Sequence, residues 1–357
     1  MRAVSIALVL SAALPLPTAL LVPGPLAGTT IYALAAPPAE PLCAAYSGLP
    51  APSAKADAPA GMVWVPGGSF IMGSGNAYPE ERPPRRASVS GFWIDRHEVT
   101  NAQFAAFVAA TGYKTVAERG LSARDYPDLP PEALVPGSMV FFEPAKNSRT
   151  RANALEWWRY VPGADWRHPS GPGSSIAGRD NHPVVHIGYA DALAYAQWLG
   201  RSLPTEAEWE FAARGGLSGK DFAWGDEQTP EGVWMANSWQ GFFPFEDVKS
   251  DGHHGTAPVG CFPANGFGLY DMIGNVWEWA TDWYRPGHHF AENDVDPRGP
   301  MDVSTSVGGQ VRVIKGGSWL CAPNFCARYR PAARQPQEAD LGASHIGFRT
   351  VLRVTVN

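Results

Sequence analysis

The chain has 357 residues, of which 45% are hydrophobic and only 17% are charged, and its formal net charge at neutral pH is −6. Glycine (38), proline (34) and tryptophan (14) are abundant. These values predict a loop-rich, aromatic-rich globular protein that is long enough to bury a sizeable core. The acidic balance and the lack of a basic stripe in the sequence argue against a general nucleic-acid-binding protein.

The N-terminus has the pattern of an export signal. Arg2 precedes an apolar run over residues 3–21, and the A-L-A triplet at 33–35 is typical of a cleavage site. Two prolines interrupt the run and disfavour a stable membrane helix. We therefore expect residues 1–35 to be a signal peptide and the mature protein to be periplasmic or secreted. An uncleaved membrane anchor is the alternative, and membrane association is expected only in that case.

The rest of the chain divides into a linker rich in proline and alanine (36–60) and one domain (61–357). Alternating or β-branched runs predict strands at 62–65, 69–72, 88–95, 311–314 and 349–356. Capping residues and apolar spacing predict helices from Thr100 to Gly112, over 189–199, and from Thr205 to Gly215. Few helices, short strands and long loops indicate a mixed α+β fold. Trp64, Trp93 and Trp209 are expected in its core.

Two of the four cysteines, Cys321 and Cys326, lie in the stretch KGGSWLCAPNFCARYR at 315–330. The Pro323-Asn324 turn between them predicts that the two sulfurs face each other. The spacing leaves three interpretations open: a short-loop disulfide, a redox-active dithiol, or a thiolate site for a soft ion such as Cu(I). Arginines follow the second cysteine and favour the thiolate form.

The histidines do not form a metal-binding cluster in the sequence. Two pairs are adjacent, at 253–254 and 288–289, and no histidine triad for non-haem iron is recognisable. His168, His182 and His186 are expected to be structural hydrogen-bonding residues.

Several blocks together resemble the formylglycine-generating enzymes, also called sulfatase-modifying factors. They are the cysteine stretch, GLYDMIGNVWEW at 268–279 and SLPTEAEWEFAARGG at 202–216, and the similarity extends over roughly residues 61–353. The resemblance implies a single-domain fold related to C-type lectins, and it makes residues 61–357 the catalytic domain. It also implies an oxidase that uses O2 to convert a cysteine in a CxPxR-type motif of an extended sulfatase segment to Cα-formylglycine. Hydrogen removal from the substrate Cβ would give a thioaldehyde, which water then hydrolyses.

The same resemblance assigns residues to this chemistry. Cys321 and Cys326 would bind Cu(I), Ser318 and Trp277 would line the active site, and Arg330 would hold substrate backbone or a developing anion. His345 stands where relatives commonly have asparagine and would contact the substrate. Phe325 replaces a frequent tyrosine, so one hydroxyl is lost from the pocket. Cys43 and Cys261 match nothing functional.

Two structural Ca²⁺ sites are implied as well, although ordinary turn and capping chemistry would also explain these loops. The first site would comprise Asn237, Ser238, Asp251 and His253, with Ser238 and His253 acting through their carbonyl oxygens. The second would comprise Asp271, Gly274, Val276 and Glu278. A monomer is expected. The rival functions are a non-catalytic binding module with an oxidised cysteine pair, and a related enzyme with another substrate.

Overall fold

The computed structural model describes residues 42–354 except 52, 54–57, 125, 145–156, 289, 291–293 and 301–310. The predicted signal peptide and the first residues of the predicted linker lie outside the described residues. In the described part of the chain, no helix has the length and apolar character needed to cross a membrane.

Short elements and long loops dominate the structure, as the glycine and proline content predicts. The helices are α1 (Asn101–Thr111), α2 (Val116–Arg119), α3 (Pro131–Leu134), α4 (Tyr189–Trp198) and α5 (Glu206–Arg214). The first six strands are β1 (Met62–Val65), β2 (Gly68–Met72), β3 (Arg85–Val89), β4 (Phe92–Asp95), β5 (Gly137–Phe141) and β6 (Trp158–Pro162). The others are β7 (Trp277–Trp283), β8 (Asp294–Val295), β9 (Val311–Lys315), β10 (Arg334–Glu338), β11 (Ile346–Gly347) and β12 (Val351–Arg353).

Local sequence signals determine where the main helices begin and end. The Thr100 side chain accepts a hydrogen bond from the Gln103 N–H, and the Gln103 side-chain oxygen accepts one from the Thr100 N–H, so the predicted capping box of α1 is confirmed. Thr205 and Glu208 form the same arrangement at the start of α5. That helix ends at Gly215, whose φ of 56° is left-handed and suits glycine.

The largest described sheet brings the two most informative sequence blocks together. Its strand order is β10-β9-β7-β11, and β7 pairs with β9 antiparallel, with Glu278 opposite Lys315. The loop that leads into β7 therefore lies beside the loop that leaves β9. A further hydrogen bond joins them, from the Gly274 N–H to the Gly316 carbonyl. The site described below is built on these two loops.

Three sequence-based expectations need correction. The single strand predicted over 88–95 is two strands, β3 and β4, interrupted by a turn. Trp64 is 40% exposed because it lies on the outer face of β1, an edge strand; Trp93 is half-buried and Trp209 fully buried. Part of the predicted linker, residues 42–50, lies against the domain, and Cys43 forms a disulfide with Cys261.

Candidate active site

The two cysteines of the 315–330 stretch are buried and close together. Cys321 and Cys326 carry free thiols whose sulfurs are 2.6 Å apart. A tight turn produces this approach, because the Cys326 N–H donates to the Ala322 carbonyl. Asn324 at the tip of the turn hydrogen-bonds the main chain of Phe243 through both ends of its amide. The predicted convergence of the sulfurs is confirmed.

The two thiols differ in their environment. Burial raises the pKa of Cys321, which favours the protonated thiol. The hydrogen bond with Cys321 lowers the pKa of Cys326 to about 7, and the Arg328 guanidinium contributes in the same direction. The pair is therefore suited to share one proton near neutral pH. A nucleophilic or metal-binding thiolate is accessible without a strong base.

A short segment from the N-terminal part of the domain supports the cysteine loop. The Tyr78 hydroxyl accepts a hydrogen bond from the Ala327 N–H (3.1 Å), and the Arg328 guanidinium lies 3.8 Å from the centroid of the Tyr78 ring. Arg328 also forms an ion pair with Glu80. Tyr78 and Glu80 thus hold the backbone next to Cys326, and sequence reasoning did not identify either.

Arg330 has partners of its own within the protein. Both terminal nitrogens of its guanidinium bind the buried Glu81 carboxylate, and its Nε donates to the Ala327 carbonyl. This geometry anchors the loop after Cys326. The proposed contact of Arg330 with substrate stays a prediction.

Ser318 and Trp277 are both buried on the inner side of the cysteine loop. The Ser318 carbonyl accepts from the Cys321 N–H (2.9 Å), and its hydroxyl oxygen accepts from the Leu320 N–H (3.3 Å). Trp277 begins β7 and donates its backbone N–H to the His345 carbonyl (2.8 Å). The structure therefore connects three of the predicted residues, Ser318, Cys321 and Cys326, through one turn, and ties Trp277 to His345.

A continuous series of ring contacts leads from His345 to the cysteine loop. We call it the aromatic wall; its members are Phe141, Trp157, Trp158, Phe243, Trp319 and Phe325. The His345 ring lies 4.6 Å from Trp158, and the Phe243 ring lies 4.6 Å from Phe325. Phe141 joins the two ends, at 5.8 Å from Trp158 and 5.6 Å from Phe243. Phe325 is 42% exposed, so the wall reaches the surface beside Cys326.

The wall contains polar atoms without partners. The ring Nδ1 of His345 and the indole N–H groups of Trp157 and Trp319 are buried and have no hydrogen-bond partner. Burial also lowers the pKa of His345 to about 3, so its ring is neutral at ordinary pH. Orphaned donors and acceptors are costly in a protein interior. A polar ligand or water held at this wall would satisfy them.

Two of the residues predicted for the first calcium site, Ser238 and Asp251, meet at the same side chain. The Ser238 carbonyl and the Asp251 carboxylate both accept hydrogen bonds from the Gln240 side-chain nitrogen. Asp251 also accepts from the His253 N–H (2.9 Å), while Asn237 donates to Asn275 Oδ1 (3.0 Å) and links the two predicted sites. One carbonyl oxygen and one carboxylate oxygen therefore face the position of a single donor, and oxygen is the ligand atom that Ca²⁺ prefers.

The second predicted site contains a carboxylate that sequence reasoning missed. Both carboxylate oxygens of Glu98 and the Oδ1 of Asp271 are buried and without a hydrogen-bond partner. Burial is the main cause that raises the pKa of Glu98, and it raises the pKa of Asp271 to about 7. Asp271 also adopts a left-handed φ of 52°. Three orphaned oxygens on two acidic side chains fit a hard cation.

Glu278 is arranged differently from the other residues of that site. Its two oxygens bind the Arg349 guanidinium, and one of them also accepts from the Trp209 indole N–H. Among the described residues, no three His, Cys, Asp or Glu side chains form a ready metal-binding group. A cation here would complete its coordination with main-chain carbonyls, such as those of Gly274 and Val276, and water.

Comparisons with known proteins agree with this arrangement. A family model described as "Sulfatase-modifying factor enzyme 1-like domain" matches residues 46–354. A formylglycine-generating enzyme of Mycobacterium tuberculosis is 53% identical over 81% of this chain and 97% of its own length. The mouse formylglycine-generating enzyme is 45% identical over 81% of this chain and 74% of its own length. This chain belongs to the sulfatase-modifying factor family.

Two further proteins are similar to this chain over most of its length. The mouse protein named inactive C-alpha-formylglycine-generating enzyme 2 is 38% identical over 81% of this chain and 84% of its own length. The solved structure of PvdO from Pseudomonas aeruginosa has a TM-score of 0.56 and is 26% identical, covering 84% of this chain and 96% of that one. The predicted loop-rich, single-domain α+β fold is confirmed.

Three further histidines and the other two cysteines of this family member have partners within the protein. His168, His182 and His186 each hydrogen-bond through a ring nitrogen, to Asp165, Thr256 and a main-chain carbonyl. Their predicted structural role is confirmed. The Cys43–Cys261 disulfide joins residues 218 positions apart, and no local sequence signal could have revealed it.

Proposed function

We propose that this protein oxidises a cysteine in a CxPxR-type segment of a sulfatase to Cα-formylglycine. The observation that carries the proposal is the pair of free, buried thiols of Cys321 and Cys326, 2.6 Å apart, in a chain that closes its other two cysteines into a disulfide. The sulfatase-modifying factor family and the relatives named formylglycine-generating enzymes support the same reaction.

The cysteine pair has the donor chemistry for Cu(I). Two thiolates are soft ligands, and soft ligands select this ion. When bound, Cu(I) would supply the redox chemistry with O2 that removes two electrons and two protons from the substrate cysteine. Water would then replace the sulfur, which leaves as sulfide. The lowered pKa of Cys326 favours the thiolate that such binding requires.

The residues around the pair would position the substrate. Ser318 holds the Cys321 limb of the turn through its carbonyl, and Tyr78 holds the Cys326 limb. The aromatic wall offers flat apolar faces to an extended segment that contains proline, and aromatic grooves bind such segments in other proteins. The unpartnered groups of His345, Trp157 and Trp319 would then face polar substrate atoms or ordered water.

We also propose that Ca²⁺ stabilises the two neighbouring loops. The convergence of Ser238 and Asp251 supports the first site. The orphaned oxygens of Glu98 and Asp271 support the second, with Glu98 added to the predicted ligands. These ions would have a structural role, because the loop that carries Asp271 leads directly into β7, and Trp239, next to Ser238, donates its backbone N–H to the Cys321 carbonyl (3.0 Å).

Export of the protein is part of the proposal. Disulfides form and persist in oxidising compartments, and the Cys43–Cys261 disulfide supports maturation outside the cytosol. The mature chain is expected to begin near residue 36. Mass spectrometry of the protein from its native host would show this; an intact Met1 in the soluble cytoplasmic fraction would contradict it.

The central experiment compares variants of the two cysteine pairs. Reduced wild-type protein should bind one Cu(I) per chain and convert a CxPxR peptide under aerated conditions, with a mass loss on the peptide. Cys321→Ser and Cys326→Ser should each abolish both properties, because an alcohol is a hard and rarely ionised ligand. The matched control is the double variant Cys43→Ser/Cys261→Ser, which leaves both proposed copper ligands in place and should retain copper binding and turnover when Ca²⁺ is saturating.

Two results would decide against the oxidase. Wild-type protein that binds no Cu(I) and converts none of several CxPxR peptides would support a non-catalytic binding module with an oxidised pair. Turnover that survives either substitution would show that the reaction does not depend on the pair.

A further inference from the structure

The N-terminal segment 42–48, which we call the strap, is attached to the loop that carries Asp271. Cys43 is bonded to Cys261, and the Leu42 N–H donates to the Gly260 carbonyl (3.1 Å). The Gly260 N–H in turn donates to Asp271 Oδ2 at 2.6 Å. This leaves Asp271 Oδ1 as the orphaned oxygen. Gly260, which binds the strap, is therefore one hydrogen bond away from the Asp271 carboxylate, whose other oxygen has no partner.

The other end of the strap is attached next to Glu98. The Tyr46 hydroxyl and His97 Nε2 are 3.0 Å apart, and His97 Nδ1 lies 2.7 Å from the Glu98 carbonyl. A carbonyl can only accept, so Nδ1 carries the proton and Nε2 accepts from Tyr46. Two residues further on, Thr100 donates its hydroxyl to the Gly48 carbonyl.

The strap is therefore attached at one end to the loop that carries Asp271 and at the other end to the segment that carries Glu98. Both side chains are buried, and three of their carboxyl oxygens have no hydrogen-bond partner. A site whose ligands are already held together binds a cation more tightly than one that must be assembled.

We infer that the strap, closed by the Cys43–Cys261 disulfide, positions Glu98 and Asp271 for a divalent cation, so that opening the disulfide weakens cation binding. The inference rests on the calcium site proposed above and makes Cys43, Cys261 and Tyr46 positioning residues for it. Both cysteines are half-buried. A dithiol reductant would supply two electrons and two protons to the S–S bond, giving two thiols and the oxidised reductant.

The test is a Ca²⁺ titration by calorimetry on the full chain. An Asp251→Asn background removes the first proposed site, so that the titration measures Ca²⁺ binding at the Glu98–Asp271 site alone. In this background, Cys43→Ser/Cys261→Ser should raise the Kd for Ca²⁺ by about tenfold, as expected when a preorganised site is loosened. Dithiol treatment of the background protein should produce the same shift. Tyr46→Phe, which removes the second attachment, should raise the Kd by a smaller factor.

The control separates positioning from general destabilisation. Thr115→Ala removes the capping box of α2, a part of the protein away from the strap, and should lower the melting temperature without changing the Kd. An equal Kd in the oxidised background protein and the cysteine double variant would overturn the inference while the calcium site stands. An equal rise in Thr115→Ala would also overturn it. A protein that binds no Ca²⁺ in either redox state would overturn the calcium site and the inference together.

Discussion

Two buried clusters of charged side chains meet at the β7–β9 pair, and they differ in how their charges are balanced. The α5 cluster consists of Glu206, Glu210, Arg214, Lys315 and Arg334. Each of its four carboxylate oxygens has a cationic partner or a hydrogen bond inside the protein. The carboxylate cluster consists of Glu98, Asp271, Glu278 and Arg349, and three of its oxygens have no partner.

The pKa shifts follow the same division. Burial alone would raise the pKa of Glu206, but Arg334 and Lys315 overcome it and lower this pKa to about 2. In the carboxylate cluster, three acids share a single guanidinium, and burial raises the pKa of Asp271 to about 7. Burial therefore has two outcomes for acidic side chains in this protein: the pKa falls where cations are in contact and rises where they are too few. The charged groups of the α5 cluster satisfy one another, whereas the unpartnered oxygens of the carboxylate cluster are those to which we propose that a cation binds.

The largest expected effect comes from breaking the balanced cluster. Lys315→Met removes a fully buried ammonium that lies 3.3 Å from Glu206 and 3.1 Å from Glu210. Removing one partner of a buried ion pair typically costs about 3–5 kcal/mol. Denaturant unfolding should show a loss of this size in the free energy of unfolding. Lys220→Met, which breaks an exposed pair with Asp226, should leave stability unchanged. A similar loss in both variants would contradict the distinction.

The second prediction concerns the unbalanced cluster. Glu98→Gln replaces an unpartnered buried carboxyl group by one that cannot ionise, so without Ca²⁺ the variant should melt at the same temperature as the wild type or higher. Ca²⁺ at a hundredfold excess over its Kd should stabilise the wild type by about 2.7 kcal/mol for each site that it fills, and EDTA should reverse this. In an Asp251→Asn background, Glu98→Gln should lose most of that gain. Glu246→Gln removes an exposed carboxylate and should keep it. A wild type whose melting does not respond to Ca²⁺ or EDTA would contradict the proposed Ca²⁺ sites.

The smallest expected effect is a pH dependence from the balanced cluster. Because the pKa of Glu206 is about 2 in the folded state and near 4.5 when unfolded, its contribution is complete above pH 4.5 and is lost as the pH falls towards 2. One such group changes the free energy of unfolding by at most about 1.4 kcal/mol per pH unit. Urea unfolding between pH 5 and pH 3 should show a shallower slope for Glu206→Gln than for the wild type. Equal slopes would show that Glu206 is not held ionised.

The sequence by itself determined the features that depend on a few neighbouring residues. The capping boxes at Thr100 and Thr205 and the left-handed glycine that ends α5 were all predictable, because their hydrogen bonds join residues three or four positions apart. The convergence of Cys321 and Cys326 belongs to the same class, since a single turn brings them together.

Only the tertiary structure decided which distant residues share an environment. It gave Arg330 a partner in Glu81, joined Cys43 to Cys261, and placed Glu98 beside Asp271. It also left Trp64 on the outer face of an edge strand, although tryptophan content alone suggested the core. Local spacing cannot encode such contacts, because they depend on how strands and loops pack across the whole domain. Glu98 is distinguished by buried carboxyl oxygens that have no partner, and whether a partner is present depends on the residues that surround it in the folded protein.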